Sequence, residues 1–138
     1  MTAARPGPPP SDPEQGIWQG RSVARRFVSP DGLTVLVGRS AADNDLLTFE
    51  LGEPRDVWMH VAAESGSHVV IRNPDGLERP PRDTLRFAAA LAARYSKAKH
   101  ASRVAVHVAT CADVSKPRGY APGEVLLRRF STIHASPA

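Results

Sequence analysis

Cysteine is nearly absent. Cys111 is the single thiol among 138 residues, so no internal disulfide can form and zinc sites built on cysteine clusters are excluded. Long apolar runs are also missing: none approaches the ~18 residues that cross a bilayer. The opening MTAARPGPPPSDPEQG holds no apolar segment and does not read as a secretory signal. These absences predict a cytoplasmic, reduced protein without membrane association. Three catalytic fingerprints are lacking as well. There is no G-x-x-x-x-G-K phosphate loop, no G-x-G-x-x-G run and no G-x-S-x-G elbow, which removes the sequence grounds for nucleotide hydrolysis, dinucleotide binding or serine-hydrolase chemistry.

What is present is charge, unevenly spread. The net charge is +4. Residues 1–78 hold seven Lys/Arg against eleven Asp/Glu, whereas residues 79–138 hold eleven against three. A basic half suits a polyanion, because neutralising phosphates releases counterions. A solvated basic surface is the bland alternative.

The length predicts one domain with one core. Residues 1–16 contain five prolines and no aromatic or β-branched apolar residue before Ile17. They are expected to form a disordered tail, with the folded domain over 17–138. "ARRFVSPDGLTVLVGRS" reads as two strands around a Ser29-Pro30-Asp31-Gly32 turn, and Ser40 as the cap of a short helix near 40–47 with Asp43 in the acidic role of a capping box. "DVWMHVAA" and "SHVVIR" read as a strand pair. Val57, Met59 and Val61 alternate with Trp58, His60 and Ala62, so one face is aliphatic and the other carries an indole and an imidazole.

"DTLRFAAALAARYSKAKH" predicts a helix over about 83–99, capped by Asp83 or Thr84, with Arg82, Arg86, Lys97 and Lys99 on its outer side and Ala90 and Ala93 between them. In "SRVAVHVATCADV", Val104, Val106 and Val108 share a face opposite Ala105, His107 and Ala109. Strands on both sides of one long helix predict an α+β fold: a largely antiparallel, mixed sheet with the helix packed on one face.

The candidate chemistry centres on Trp58, His60 and Gly66-Ser67-His68. Asp56, His60 and His68 are oxygen and nitrogen donors close in sequence, the kind of set that binds a divalent metal. But Asp56 and His60 are four apart on a strand, about 13 Å at ~3.3 Å per residue, so no metal site is assigned. No base–orienter pair accompanies Ser65 or Ser67, so no catalytic residue is assigned either. The plain reading is that Trp58 packs in the core with its N–H on one acceptor and that His68 is a hydrogen-bonded structural histidine.

Taken in order, "RRFVSPDGLTVLVGRSAADNDLLTFE", "DVWMHV", "GSHVVIR", "AAALAARYSKAKHASRVAVHV" and "KPRGYAPGEV" resemble the NFACT-R domain over about residues 24–137. NFACT-R is the RNA-binding module of NFACT proteins, the ribosome-quality-control factors that act on stalled large ribosomal subunits. The resemblance places the family signature on Asp31-Gly32, Gly38-Arg39, Asn44, Asp56, Trp58, His60, Gly66-Ser67-His68, Tyr95-Ser96-Lys97, Lys99, Lys116-Pro117, Gly119 and Pro122-Gly123. Two positions depart from the pattern: Asp43 stands where relatives usually carry glutamine, and Ser115 where a second lysine is frequent.

The resemblance implies a non-enzymatic RNA-binding protein, with tRNA or rRNA as partner and large-subunit proteins as further contacts, and no cofactor. Lys97, Lys99, Lys116 and Arg118 would meet phosphates, with Arg39 beside them and Arg82 and Arg86 extending the track. Trp58, His60, Ser67 and His68 would form the floor or edge of the site. In 138 residues there is no room for the family's N-terminal domain, helix-hairpin-helix module or coiled-coil arm, so tail addition to stalled chains is not expected of this chain alone. Docking on a ribosomal protein, or nucleic-acid chemistry at Asp56, His60 and His68, are the alternatives.

Overall fold

β-Branched runs punctuated by turns fold here into antiparallel strands. The computed structural model describes residues 6–138. β1 (Ile17–Trp18) and β2 (Arg21–Ser22) form a small ribbon ahead of β3 (Ala24–Val28) and β4 (Thr34–Gly38). At the β3–β4 turn the Gly32 N–H donates to the Ser29 carbonyl at 2.9 Å. Gly32 has φ +84° and open space where a Cβ would sit, so conformation rather than crowding calls for glycine there. α1 (Ala41–Asp45) continues as one π-helical stretch, Leu46–Leu51, ahead of β5 (Val57–Val61) and β6 (Val69–Ile71). α2 (Arg82–Arg94) leads to β7 (Val104–Thr110), the short pair β8 (Val114–Ser115) and β9 (Leu126–Leu127), and β10 (Ser131–Ala135).

The main sheet has the order β10-β7-β5-β6-β4-β3, and every neighbour in it is antiparallel. The architecture is the α+β layer that the sequence predicts. The strand alternation sorts side chains onto two faces. Val57, Met59 and Val61 join Val35, Val37, Ile71, Val104 and Val106 under α2, where burial contributes about 1.5–3 kcal/mol per large aliphatic side chain. Ala88, Ala89, Ala92 and Ala93 are all fully buried, and their small size lets the helix lie close to the strands. Ala93 is therefore a core residue, not a gap between surface cations. The other face packs Trp58, Leu36 and Val70 against Val23, Leu47 and Leu51.

Helix α2 ends at Arg94, short of the predicted 99. The Ser96 hydroxyl donates to the Ala93 carbonyl at 2.7 Å, and the Tyr95 carbonyl accepts from the Ser67 N–H at 2.9 Å, so the backbone leaves the helix to meet the β5–β6 loop. Its start has no side-chain cap. Thr84 instead donates to Asp31 at 2.8 Å and bonds Ser29 at 2.7 Å, tying the helix to the β3–β4 turn. Ser40 does cap α1, accepting from the Asp43 N–H. The Asp43 carboxylate faces Arg21 at 2.9 Å rather than returning to the cap.

The predicted tail divides in two. Residues 1–5 lie outside the described residues. Pro13–Gln15 form a single 3-10 turn capped by Asp12, Glu14 reaches Arg72 at 3.1 Å, and the Pro10 carbonyl accepts from the Gly20 N–H at 3.1 Å, so ordered contacts reach back to Pro10. A charged side chain finding a long-range partner accounts for this order where apolar content is low.

Candidate nucleic-acid interface

The β5–β6 loop is fastened to the end of α2. Gly66 bridges Ser96, and the Lys97 N–H donates to the Ser65 carbonyl at 2.9 Å. A Cβ on Gly66 would stand 2.8 Å from that of Ser96, so only glycine permits the approach. Gly66-Ser67-His68 and Tyr95-Ser96-Lys97, some thirty residues apart in sequence, thus meet as paired backbone.

His68 is fully buried. Its Nε2 lies 2.8 Å from the Gly123 carbonyl. A carbonyl only accepts, so the ring proton is on Nε2 and Nδ1 accepts from the Thr48 hydroxyl at 2.8 Å. Burial pushes the imidazole pKa down to about 4, against the opposing pull of the Gly123 carbonyl and Asp45. The backbone around it is equally constrained. The His68 N–H donates to Asn44 Oδ1 at 3.0 Å, and its carbonyl accepts from the Gly38 N–H. That Asn44 oxygen would stand 1.9 Å from a Cβ at Gly38. His68 is a brace, and Gly38 makes room for the Asn44 side chain that holds its backbone.

The same network holds the 116–124 loop. Asp45 accepts from the Gly123 N–H at 3.1 Å and pairs with Lys116 at 3.2 Å. Lys116 also donates to the carbonyls of Ala121 and Glu124. The ammonium expected to meet phosphate is therefore turned inward, because it satisfies three oxygens that the loop would otherwise leave unpaired.

Trp58 and His60 project from β5 on the face away from α2. Their rings are stacked at 5.9 Å with 14° between planes, and His68 meets both edge-on at 5.2 and 5.8 Å. The buried Trp58 Nε1 has no hydrogen-bond partner among the described residues, where the sequence predicts one acceptor. His60 is half-buried and its Nδ1 donates to the Val61 carbonyl at 2.6 Å. Burial lowers its pKa, outweighing the Val61 and Gly66 carbonyls that raise it.

Directly across the strands stands His107, whose ring lies 4.5 Å from Phe130. A cavity of about 640 Å³ opens over these rings, with Trp58, His60, His107, Glu64, Lys97 and Glu124 in its wall. His107 escaped assignment from sequence. Its alternation was visible, but not that β7 would lie beside β5.

The free cations divide by position. Arg39, Lys97, Lys99 and Arg118 are exposed, and none forms an ion pair among the described residues. Arg39 follows β4 and Lys97 and Lys99 follow α2, at the end of the sheet where β5 stops and β6 begins, while Arg118 sits in the loop fixed by Lys116. Arg82 and Arg86 begin α2 at the opposite end, about 20 Å away at ~1.5 Å per helical residue, on the other side of the sheet. They do not extend the Lys97 surface. Arg94, absent from the sequence-based set, packs over the Tyr95 ring from one side, with Arg25 also over that ring, at 5.3 and 5.1 Å. Asp56 does not join His60 and His68 either. Its carboxylate, at the far end of β5, accepts from Arg72, from the Asn73 N–H at 2.8 Å and from the Glu53 N–H at 2.9 Å.

A family model described as the NFACT protein RNA binding domain matches residues 24–129. The chain belongs to the NFACT RNA-binding domain family. It is 37% identical over 115 residues to the Rqc2 homolog RqcH of Bacillus subtilis, covering 83% of this chain and 20% of that protein. It is 38% identical over 72 residues to a Drosophila melanogaster ribosome quality control complex subunit, the NEMF homolog, covering 52% of this chain and 7% of that one. A solved structure, the C-terminal part of the fibronectin/fibrinogen-binding protein from Streptococcus suis, superposes with a TM-score of 0.79 at 34% identity, covering 86% of this chain and 47% of that one. The chain thus spans about a fifth of the length of the bacterial relatives it matches. Seven of the residues that carried the NFACT-R resemblance support the cavity: Gly38, Asn44, Gly66, His68, Ser96, Lys116 and Gly123.

Proposed function

We propose that this NFACT RNA-binding domain acts without catalysis of its own, binding tRNA or large-subunit rRNA in ribosome-associated quality control in the cytoplasm. The carrying observation is the cavity floored by Trp58, His60 and His107, with Arg39, Lys97, Lys99 and Arg118 exposed at that end of the sheet. Aromatic floors beside unpaired cations suit RNA, whose unstacked bases pack on planar side chains while phosphates meet the charges. The ribosome-quality-control names of the relatives agree with this reading.

The test is affinity for tRNA and for rRNA fragments against salt. Four phosphate contacts give a log–log slope of about −3 to −4. A flat dependence, or no binding at low salt, refutes the reading. A second reading has its own observation: Phe130 and Leu126 are about half exposed beside His107 and beside Leu127 of the cavity wall. They fit docking on a ribosomal protein. Association that persists after nuclease treatment favours that reading.

A further inference from the structure

We propose that the cavity receives a single unstacked nucleobase, with its backbone phosphates left outside, at Lys97 on the rim and at Lys99 and Arg118 beyond it, so that the domain reads a loop or single strand rather than a duplex. The proposal rests on the RNA-binding reading and names which part of the RNA enters.

Three observations carry it. The cavity's volume, about 640 Å³, falls within the ~300–1,000 Å³ typical of small-molecule sites and has room for a base with its ribose. Its floor is planar and unsaturated: His60, half-buried and stacked on Trp58, faces its cross-strand partner His107, so a flat ring finds flat rings. The walls are wrong for phosphate. Glu64 and Glu124 line the cavity against the single cation Lys97, and burial disfavours the charged form of His60. A phosphodiester drawn inside would meet more carboxylate than ammonium, whereas one outside meets Lys99 and Arg118, which have no acidic partner among the described residues.

The carboxylates also predict a preference. Glutamate accepts hydrogen bonds from exocyclic amines such as cytosine N4. Guanine presents two adjacent N–H donors to one carboxylate, adenine and cytosine one amine each, and uracil a lone N–H between two carbonyls that repel it. The expected order is guanine first, adenine and cytosine next, uracil last.

The experiment uses hairpin RNAs of one length whose loops are abasic except at a single position, which carries G, A, C, U or nothing. Binding to the full chain is followed by fluorescence anisotropy at several salt concentrations. The fully abasic loop is expected to bind about five- to a hundredfold more weakly than the best base, the range for loss of one stacked base, with the salt slope unchanged. His60→Ala is expected to reduce every RNA to the abasic level. Glu64→Gln, in an exposed loop where folding is not at stake, is expected to flatten the order among bases. Equal affinity for the abasic and base-containing loops, at an undiminished salt slope, overturns the base pocket while leaving RNA binding in place. Absence of salt-dependent binding to any of the RNAs overturns both.

Discussion

The two faces of the central sheet are held by different physics. Under α2 the contacts are aliphatic, with Met59, Val69, Ile71 and Val106 at zero exposure and a helix surface of alanines. Any apolar group of suitable volume serves there. On the opposite face a polar network runs from Gly38 through Asn44, His68 and Gly123 to Asp45 and Lys116, and its directional bonds accept only partners that fit. Both faces supply stability, since Leu36, Leu47, Trp58 and Val70 are buried on the second as well. The second converts that stability into fixed positions for two loops and a cavity between them. A site of this kind needs both, since directional bonds hold geometry only on a scaffold that does not move.

Each face can be disrupted separately. The largest effect is expected from Met59→Ala, which should lower stability by about 2–5 kcal/mol in urea titrations, and raise hydrogen exchange throughout the sheet rather than in one loop. Acid should strike the other face. His68 is held near pKa 4 against its ordinary 6.5, so protonation favours the unfolded chain. Its contribution is complete above about pH 6.5 and declines as pH falls toward 4, by about 3 kcal/mol in all. His60 is shifted in the same direction. Urea midpoints at pH 7 and pH 4.5 should therefore differ less in His68→Gln than in the unmodified chain. A smaller change is expected of Lys116→Ala, about 1 kcal/mol given its partial exposure, with faster exchange confined to residues 117–124. The smallest belongs to Lys97→Ala: stability within about 0.5 kcal/mol, but an RNA salt slope shallower by about one. If Lys97→Ala unfolded the chain, or Lys116→Ala altered RNA affinity more than Lys97→Ala does, the division between bracing and contact would be wrongly drawn.

Cys111 adds a control on the buried side. Burial pushes its thiol up to about 12, chiefly by desolvation. Native protein should resist alkylation at neutral pH, and the rate should follow unfolding.

Alternation in β5 and β7, the Ser29–Gly32 turn, the alanine-rich helix and the motif order were enough to specify an α+β layer, its two faces and its family. Those features are local: a period of two, a glycine at positive φ, a cap, a run of good helix formers. Which cation met solvent was not local. Lys116 and Lys97 look alike in sequence, and only the fold placed Asp45 and two loop carbonyls around one of them. His60 and His68 differ in the same way, because Thr48 and Gly123 close around the second alone. The pairing of Asp56 with Arg72, the capture of Glu14 from a proline-rich stretch and the placement of Arg82 and Arg86 far from Lys97 likewise arise from contacts between distant segments. A side chain's chemistry is written in its identity, but its partners are set by where the backbone brings other groups within about 3 Å, and that is decided only when the whole sheet has formed.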